Sequence, residues 1–262
     1  MTGRFSVLQP ITTIAGITVQ EGMKTRLLPL VLGVLVLGVV LASFAGSLAT
    51  TEGDQIQSAL LGSYLRFAGV LLSSLFVLNS QVREFNDKGL DLVLALPVPR
   101  GGYFFGKLVG FALIALQITM LFTFVLLFYS SVDQVALWGV SLFFELLIVI
   151  TLSLLCLFTF SQVPAAFISV FAIYILSRSV SSLILVGQGP IMPHRAIINW
   201  LMNQTMEGLA FVLPALDRFT SSEWLVYGTG TLEDLLFVAS QGVIYVALLS
   251  AAALIDFYKK NL

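Results

Sequence analysis

The chain has 262 residues, of which 58% are hydrophobic and 10% charged, with a formal net charge of -1 and a mean hydropathy of +1.00. A soluble domain carries roughly 25% charged residues, so an ordinary soluble chain is excluded and a membrane protein is indicated. The near-zero net charge leaves no basic excess for nucleic acid, and no nucleic-acid partner is expected.

The opening stretch MTGRFSVLQPITTIAG lacks the apolar core and small-residue cleavage site of a removable signal peptide, so the first span is expected to act as the insertion signal. Residues Pro10 to Lys24 can begin a helix at Pro10, with Ile11, Ile14, Ala15 and Thr18 on one side. Weak amphipathicity of this kind suits an interfacial helix.

Crossing ~30 Å of hydrocarbon takes about 20 apolar residues, and six stretches qualify: 27–48, 56–80, 104–129, 135–160, 165–187 and 235–255. The fold class expected is therefore an all-α polytopic membrane protein, a single transmembrane domain over residues 1–262. Positive residues are retained on the cytoplasmic side. With the N-terminus inside, that side holds Arg4, Lys24, Arg26, Arg83, Lys88, Arg100, Lys107, Lys259 and Lys260, whereas the outer segments hold only Arg195 and Arg218. Both termini are then cytoplasmic.

Between the second and third spans lies the loop 83–103, VREFNDKGLDLVLALPVPRGGYFFGK with its flanks. Wound as a helix, it places Glu84, Asp87, Lys88 and Asp91 on one face, and Phe85, Gly89, Leu92 and Leu96 on the other. Pro97 and Pro99 stop the helix, because proline lacks the amide donor and disfavours helix in the residue before it. Two readings stay open: a headgroup-level surface helix, with Arg100 and Lys107 drawn to anionic lipid, or a docking helix that offers its polar face to a soluble partner.

The string GGYFFGKL, Gly101 to Leu108, spells most of the P-loop frame G-x-x-x-x-G-K. Leu108 stands where a Mg²⁺-holding hydroxyl is needed, Tyr103, Phe104 and Phe105 crowd the position of the phosphates, and a Pro-Val-Pro turn precedes it in place of a strand. The glycines read instead as chance members of a turn that leads into the third span.

Arg66, Glu145 and Arg178 fall inside spans, where an unpaired charge costs at least ~2.5 kcal/mol at mid-bilayer. At ~1.5 Å per residue, Arg66 and Glu145 both come ~15 Å deep. That matches them as an ion pair, with Arg178 as a competing partner. The bland role is a structural lock between helices. The functional one is a place on a wet path through the bundle, because Gly62, Arg66, Gly69, Ser73 and Ser80 share a face of the second span, and Tyr174, Arg178, Ser181 and Ser182 neighbour one another on the fifth.

The outer segment 188–234 is too long for a turn and mixes apolar runs with Trp200, Trp224 and Tyr227. Short re-entrant or interfacial helices with an aromatic belt are expected there. The single cysteine, Cys156, lies in an apolar run, so neither a disulfide framework nor a thiolate metal site can be built within one chain. His194 reads as a solvated loop histidine, and no metal site or catalytic residue is expected.

The loop after the second span resembles that of type-2 permeases of ATP-binding-cassette (ABC) exporters. An acidic residue (Glu84), a glycine (Gly89), the leucine-rich LDLVLAL, the turn Pro97-Val98-Pro99-Arg100 and Gly106-Lys107 follow in the family's order, and LPALDRF and the tail IDFYKKNL extend the likeness over nearly the whole chain. The resemblance implies that Glu84, Phe85, Asp87, Lys88, Gly89, Asp91, Pro97 and Arg100 belong to a coupling helix docked into a cytoplasmic ABC ATPase subunit. ATP and Mg²⁺ would be bound by that partner, with no cofactor in this chain and no enzymatic activity of its own. It further implies a bacterial inner-membrane location and pairing with a second copy or a similar permease. A periplasmic partner for the outer segment stays open. The rival expectations are an ATPase-independent secondary transporter and a membrane assembly factor.

Overall fold

The computed structural model describes residues 8–49, 52–86, 100–160, 162–188, 208 and 212–259. No strand occurs among them. The elements in chain order are α1 (Leu8–Lys24), α2 (Leu27–Leu48), α3 (Gly53–Asn86), α4 (Arg100–Leu126), α5 (Val132–Phe160), α6 (Val163–Gln188), a 3-10 turn (Leu216–Arg218), the short α7 (Ser222–Tyr227) and α8 (Leu232–Lys259). The helices α2 to α6 and α8 are each long and apolar enough to cross a membrane, six in all as the apolar runs indicate.

Local chemistry sets the helix ends. Pro10 sits in the first turn of α1, where its missing amide donor is not needed. Ser221 caps α7 by accepting from Glu223 N, and Gly228 closes that helix at φ 65, the left-handed conformation that a helix end favours and glycine adopts without strain. Thr231 and Asp234 form a reciprocal cap on α8: Asp234 N donates to Thr231 Oγ1 at 3.2 Å and Thr231 N donates to Asp234 Oδ2 at 3.1 Å, which satisfies two otherwise orphaned amides. The third span ends at Leu126 and not at Tyr129, because Phe128 N and Tyr129 N turn back to the carbonyls three residues earlier and tighten the last turn.

Helix α5 is the hub. Its most apolar stretch is 72% buried, against 28% for α2 and 17% for α8. Apolar residues occupy every face of it, as a fully enclosed helix requires. Trp138, Leu142, Leu146 and Leu157 are completely buried there, and α5 meets α3, α4, α6, α7 and α8. The periphery is equally apolar but exposed. Leu32, Val36, Val40 and Phe44 recur every four residues along α2, and Leu236, Val243, Ile244 and Leu248 line α8. Such a surface greatly exceeds the patches that water tolerates, and it suits a hydrocarbon surrounding.

The helix α1 lies across α4. Ala15 and Thr18 are buried on the side that the sequence marks as apolar, whereas Ile17 and Met23 are exposed on the other. The close approach depends on two glycines of α4. A Cβ on Gly106 would fall 2.9 Å from Ile14 Cβ, and one on Gly110 would fall 2.6 Å from Thr18 Cβ. This four-residue spacing of small residues is how helices approach closely when burial itself gives little driving force.

The reading of GGYFFGKL as a turn is therefore corrected: Gly101 to Leu108 are helical, since α4 starts at Arg100, and Gly106 serves the seam with α1. A continuous helix also offers no loop of free amides to cradle a phosphate.

Candidate functional site

Two polar clusters interrupt the apolar bundle. The first centres on Glu145 of α5, which is wholly buried. Its Oε1 accepts from Tyr174 Oη at 2.8 Å and lies 3.2 Å from Arg178 Nη1, and its Oε2 accepts from Thr220 Oγ1. The Arg178 guanidinium also donates to Leu216 O at 2.7 Å and to Phe219 O at 3.2 Å. It thus joins α6 to the segment that carries the 3-10 turn. A buried charge is tolerated only when paired and hydrogen-bonded, and the Glu145 carboxylate meets both conditions.

Thr220 is the pivot of this cluster. It is completely buried, its N donates to Ser141 Oγ at 2.8 Å, and its carbonyl accepts from Arg66 Nη1 at 3.0 Å. Its φ is 49, a left-handed conformation that is a marked outlier for a β-branched residue and costs of order 1–3 kcal/mol. Contacts from α3 and α5 to its amide, hydroxyl and carbonyl hold it there. Ser141 and Glu145 lie about 14 Å and 20 Å along α5 from Val132, counted at 1.5 Å per residue, so residues 216–220 reach well into the bundle. Ser63 and Ser222 hydroxyls meet at 2.9 Å, and Gln134 exchanges hydrogen bonds with both the N and the O of Gly230, which ties down α7 and the turn into α8.

The expected partnership of Arg66 with Glu145 is corrected. The structure gives the ion pair to Arg178, whereas Arg66 donates to the Thr220 carbonyl, and its Nε is buried without a hydrogen-bond partner among the described residues. Matched depth did not decide the pairing. Arg178 is one helical turn from Tyr174, and both side chains converge on the same oxygen.

Much of the small-residue face of α3 is packed within this chain. A Cβ on Gly62 would fall 2.5 Å from Leu225 and one on Gly69 3.2 Å from Phe122, while Ser73 is buried and Ser80 Oγ donates to Glu21 at 3.0 Å. Trp224 likewise leaves the expected aromatic belt, being only 6% exposed, whereas Tyr227 is 69% exposed.

The second cluster lies at the end of the bundle that carries Lys24, Arg26, Arg100 and Lys259, here termed the basic end. Lys107 Nζ lies 2.6 Å from Glu84 Oε2, with the Lys107 side chain 6% exposed. Lys107 was expected at lipid headgroups; it is instead buried in an ion pair. The two salt bridges among the described residues are this one and Arg178 with Glu145. Tyr103 and Phe257 stack with ring centroids 5.9 Å apart. Arg100 is a neighbour only by position, its Nη1 lying 3.5 Å from Tyr258 O.

Of the coupling residues expected from the sequence, Glu84 and Arg100 are placed as above and Phe85 lies in the last turn of α3. Asp87, Lys88, Gly89, Asp91 and Pro97 lie outside the described residues, as do His194 and Trp200. Thr220, Ser141 and the carbonyls of Leu216 and Phe219 were not singled out by sequence reasoning. Among the described residues, no group of three His, Cys, Asp or Glu is arranged to hold a metal. No family model matches the sequence, and no curated protein matches it.

Proposed function

We propose that this chain is the membrane-spanning subunit of an ABC exporter, with the basic end and both termini on the cytoplasmic side of a bacterial inner membrane. Residues 87–99 then form the docking element for a separate ATPase, with Asp87, Lys88, Gly89, Asp91 and Pro97 in the contact, and α1 lies at the cytoplasmic interface. The segment 214–230 enters from the outer side as a re-entrant element. A second copy or a similar permease completes the transmembrane pathway.

The observation that carries this reading is the clamp between Glu84 and Lys107. These residues stand at the two roots of the loop, one at the end of α3 and one near the start of α4. A displacement of residues 87–99 by a partner therefore loads both helices together. Helix α3 has 34 residues, or about 51 Å at 1.5 Å per residue, so it continues beyond ~30 Å of hydrocarbon and acts as a rigid lever into the bundle. ATP binding in the partner then shifts the spans between inward- and outward-facing arrangements.

A second reading, an ATPase-independent transporter, is favoured by the Glu145 cluster alone, since a buried carboxylate among guanidinium and hydroxyl groups is a common ion or proton site in such proteins. One experiment separates the two. The gene beside this one is expected to encode an ATPase with Walker A and signature motifs. Co-expression should yield a complex that is lost on Asp87→Asn with Asp91→Asn, while the bundle still elutes as a folded, monodisperse species. Transport that persists in vesicles depleted of ATP would overturn the exporter reading and favour the second.

A further inference from the structure

A cavity of about 290 Å³ opens at the basic end between α2 and α3, beneath the joint that links α1 to α2. Its rim is polar. Arg26 and Arg83 face it together with Asn79 and Ser80, and neither arginine forms a salt bridge among the described residues. Its wall is aliphatic and aromatic. Leu72, Leu75, Phe76, Asn79 and Arg83 of α3 follow one another at helical spacing, so a single stripe of that helix passes from apolar to cationic over about 16 Å. Leu27 and Leu30 of α2 close the opposite side, and Leu30 and Leu75 are exposed at its mouth.

A cationic rim above a hydrocarbon-lined cleft is shaped for an amphiphile. We propose that this cleft binds one anionic phospholipid, its phosphate held between Arg26 and Arg83 and its chain laid against Leu30, Leu72 and Leu75. Guanidinium groups match phosphate oxygens through paired N–H donors. The two arginines against the single Glu21 carboxylate, which already accepts from Ser80 Oγ at 3.0 Å, leave the rim with a positive excess. That excess favours a net-negative headgroup over a zwitterionic one. A soluble phosphate would leave the apolar wall wet, so the site is assigned to lipid and not to a free phosphate ester.

The test is native mass spectrometry of the full chain, purified in non-ionic detergent and presented with phosphatidylglycerol, phosphatidylethanolamine or phosphatidylcholine at matched concentration. One retained phosphatidylglycerol is expected, at roughly tenfold higher occupancy than either zwitterionic lipid. The double substitution Arg26→Gln with Arg83→Gln should abolish this preference, whereas Lys24→Gln should leave it intact. Because Arg26 and Arg83 are exposed, their replacement leaves the bundle folded, as an unchanged elution profile would verify. Leu30→Ser with Leu75→Ser should lower retention of all three lipids, and glycerol 3-phosphate should fail to displace them. Equal retention of the three lipids, an undiminished preference in the arginine double variant, or displacement by glycerol 3-phosphate would each overturn the assignment.

Discussion

Arg66 reaches the backbone carbonyl of Thr220 at 3.0 Å and leaves the Glu145 carboxylate to Arg178. The two arginines thus hold the same inserted segment through different atoms, one by a single carbonyl and the other through an ion pair and two carbonyls. Their substitution should have separable effects.

Arg66→Leu removes one hydrogen bond and leaves a buried carbonyl unpaired, a cost of about 1–3 kcal/mol. The bundle should still assemble, seen as an unchanged elution, while, under the proposed permease function, transport falls at least roughly tenfold. Arg66→Lys, which keeps a donor in reach of the same carbonyl, should recover most of the activity. Transport by Arg66→Leu at the original rate would remove this residue from any pathway.

Arg178→Met should be far more damaging, because it strands a wholly buried carboxylate. Removing one partner of such a pair costs about 3–5 kcal/mol. The double substitution Arg178→Met with Glu145→Gln should be milder than Arg178→Met alone. A thermal-shift series on the single and double variants measures the coupling, and simple additivity would show that the pair is not energetically linked.

At the basic end, Lys107→Met leaves Glu84 unpaired, but the Glu84 side chain keeps 20% exposure. The expected cost is therefore about 2 kcal/mol, below the range for a fully enclosed pair, or a melting temperature lower by roughly 4–8 °C. The exchange Lys107→Glu with Glu84→Lys should restore part of it. If the clamp transmits movement from a docked partner, Lys107→Met should also reduce transport per ATP hydrolysed while the partner remains bound. Unaltered coupling would leave the pair a purely static tie.

Gly110→Val tests the seam between α1 and α4. The added side chain meets Thr18 Cβ at 2.6 Å and the Ala15 carbonyl oxygen at 3.1 Å, and overpacking of this kind costs about 1–3 kcal/mol. Helix α1 should loosen, so that trypsin cuts at Lys24 several times faster than in the parent chain. An unchanged cleavage rate would mean that α1 is held by contacts other than this seam.

The helices were legible because a span needs little more than a long apolar run, and the run is written residue by residue. The buried side of α1 was legible for the same reason, in the positions of Ala15 and Thr18. Pairing was not. Arg66, Glu145 and Arg178 could be assigned a depth but not a direction, and the carbonyls of Leu216 and Phe219 that complete the site carry no side-chain signature at all. Lys107 misled because its partner stands on the preceding helix, across the whole loop. Gly106 misled in another way: it was read as a chance member of an entry turn, whereas its four-residue spacing to Gly110 is a helix-packing repeat.

Thr220 is also a matter of timing. A chain is made from its N-terminus onward, so α3, α5 and α6 are synthesised before the residue that their polar groups grip. Until then Arg66 lacks its acceptor, Ser141 lacks the amide that it accepts from, and Arg178 has Glu145 but neither carbonyl. Any arrangement that these helices take up before residue 220 is made therefore lacks the groups that fill this polar seam. Residues 216–220 complete that seam, and α8, made after them, packs against the same hub.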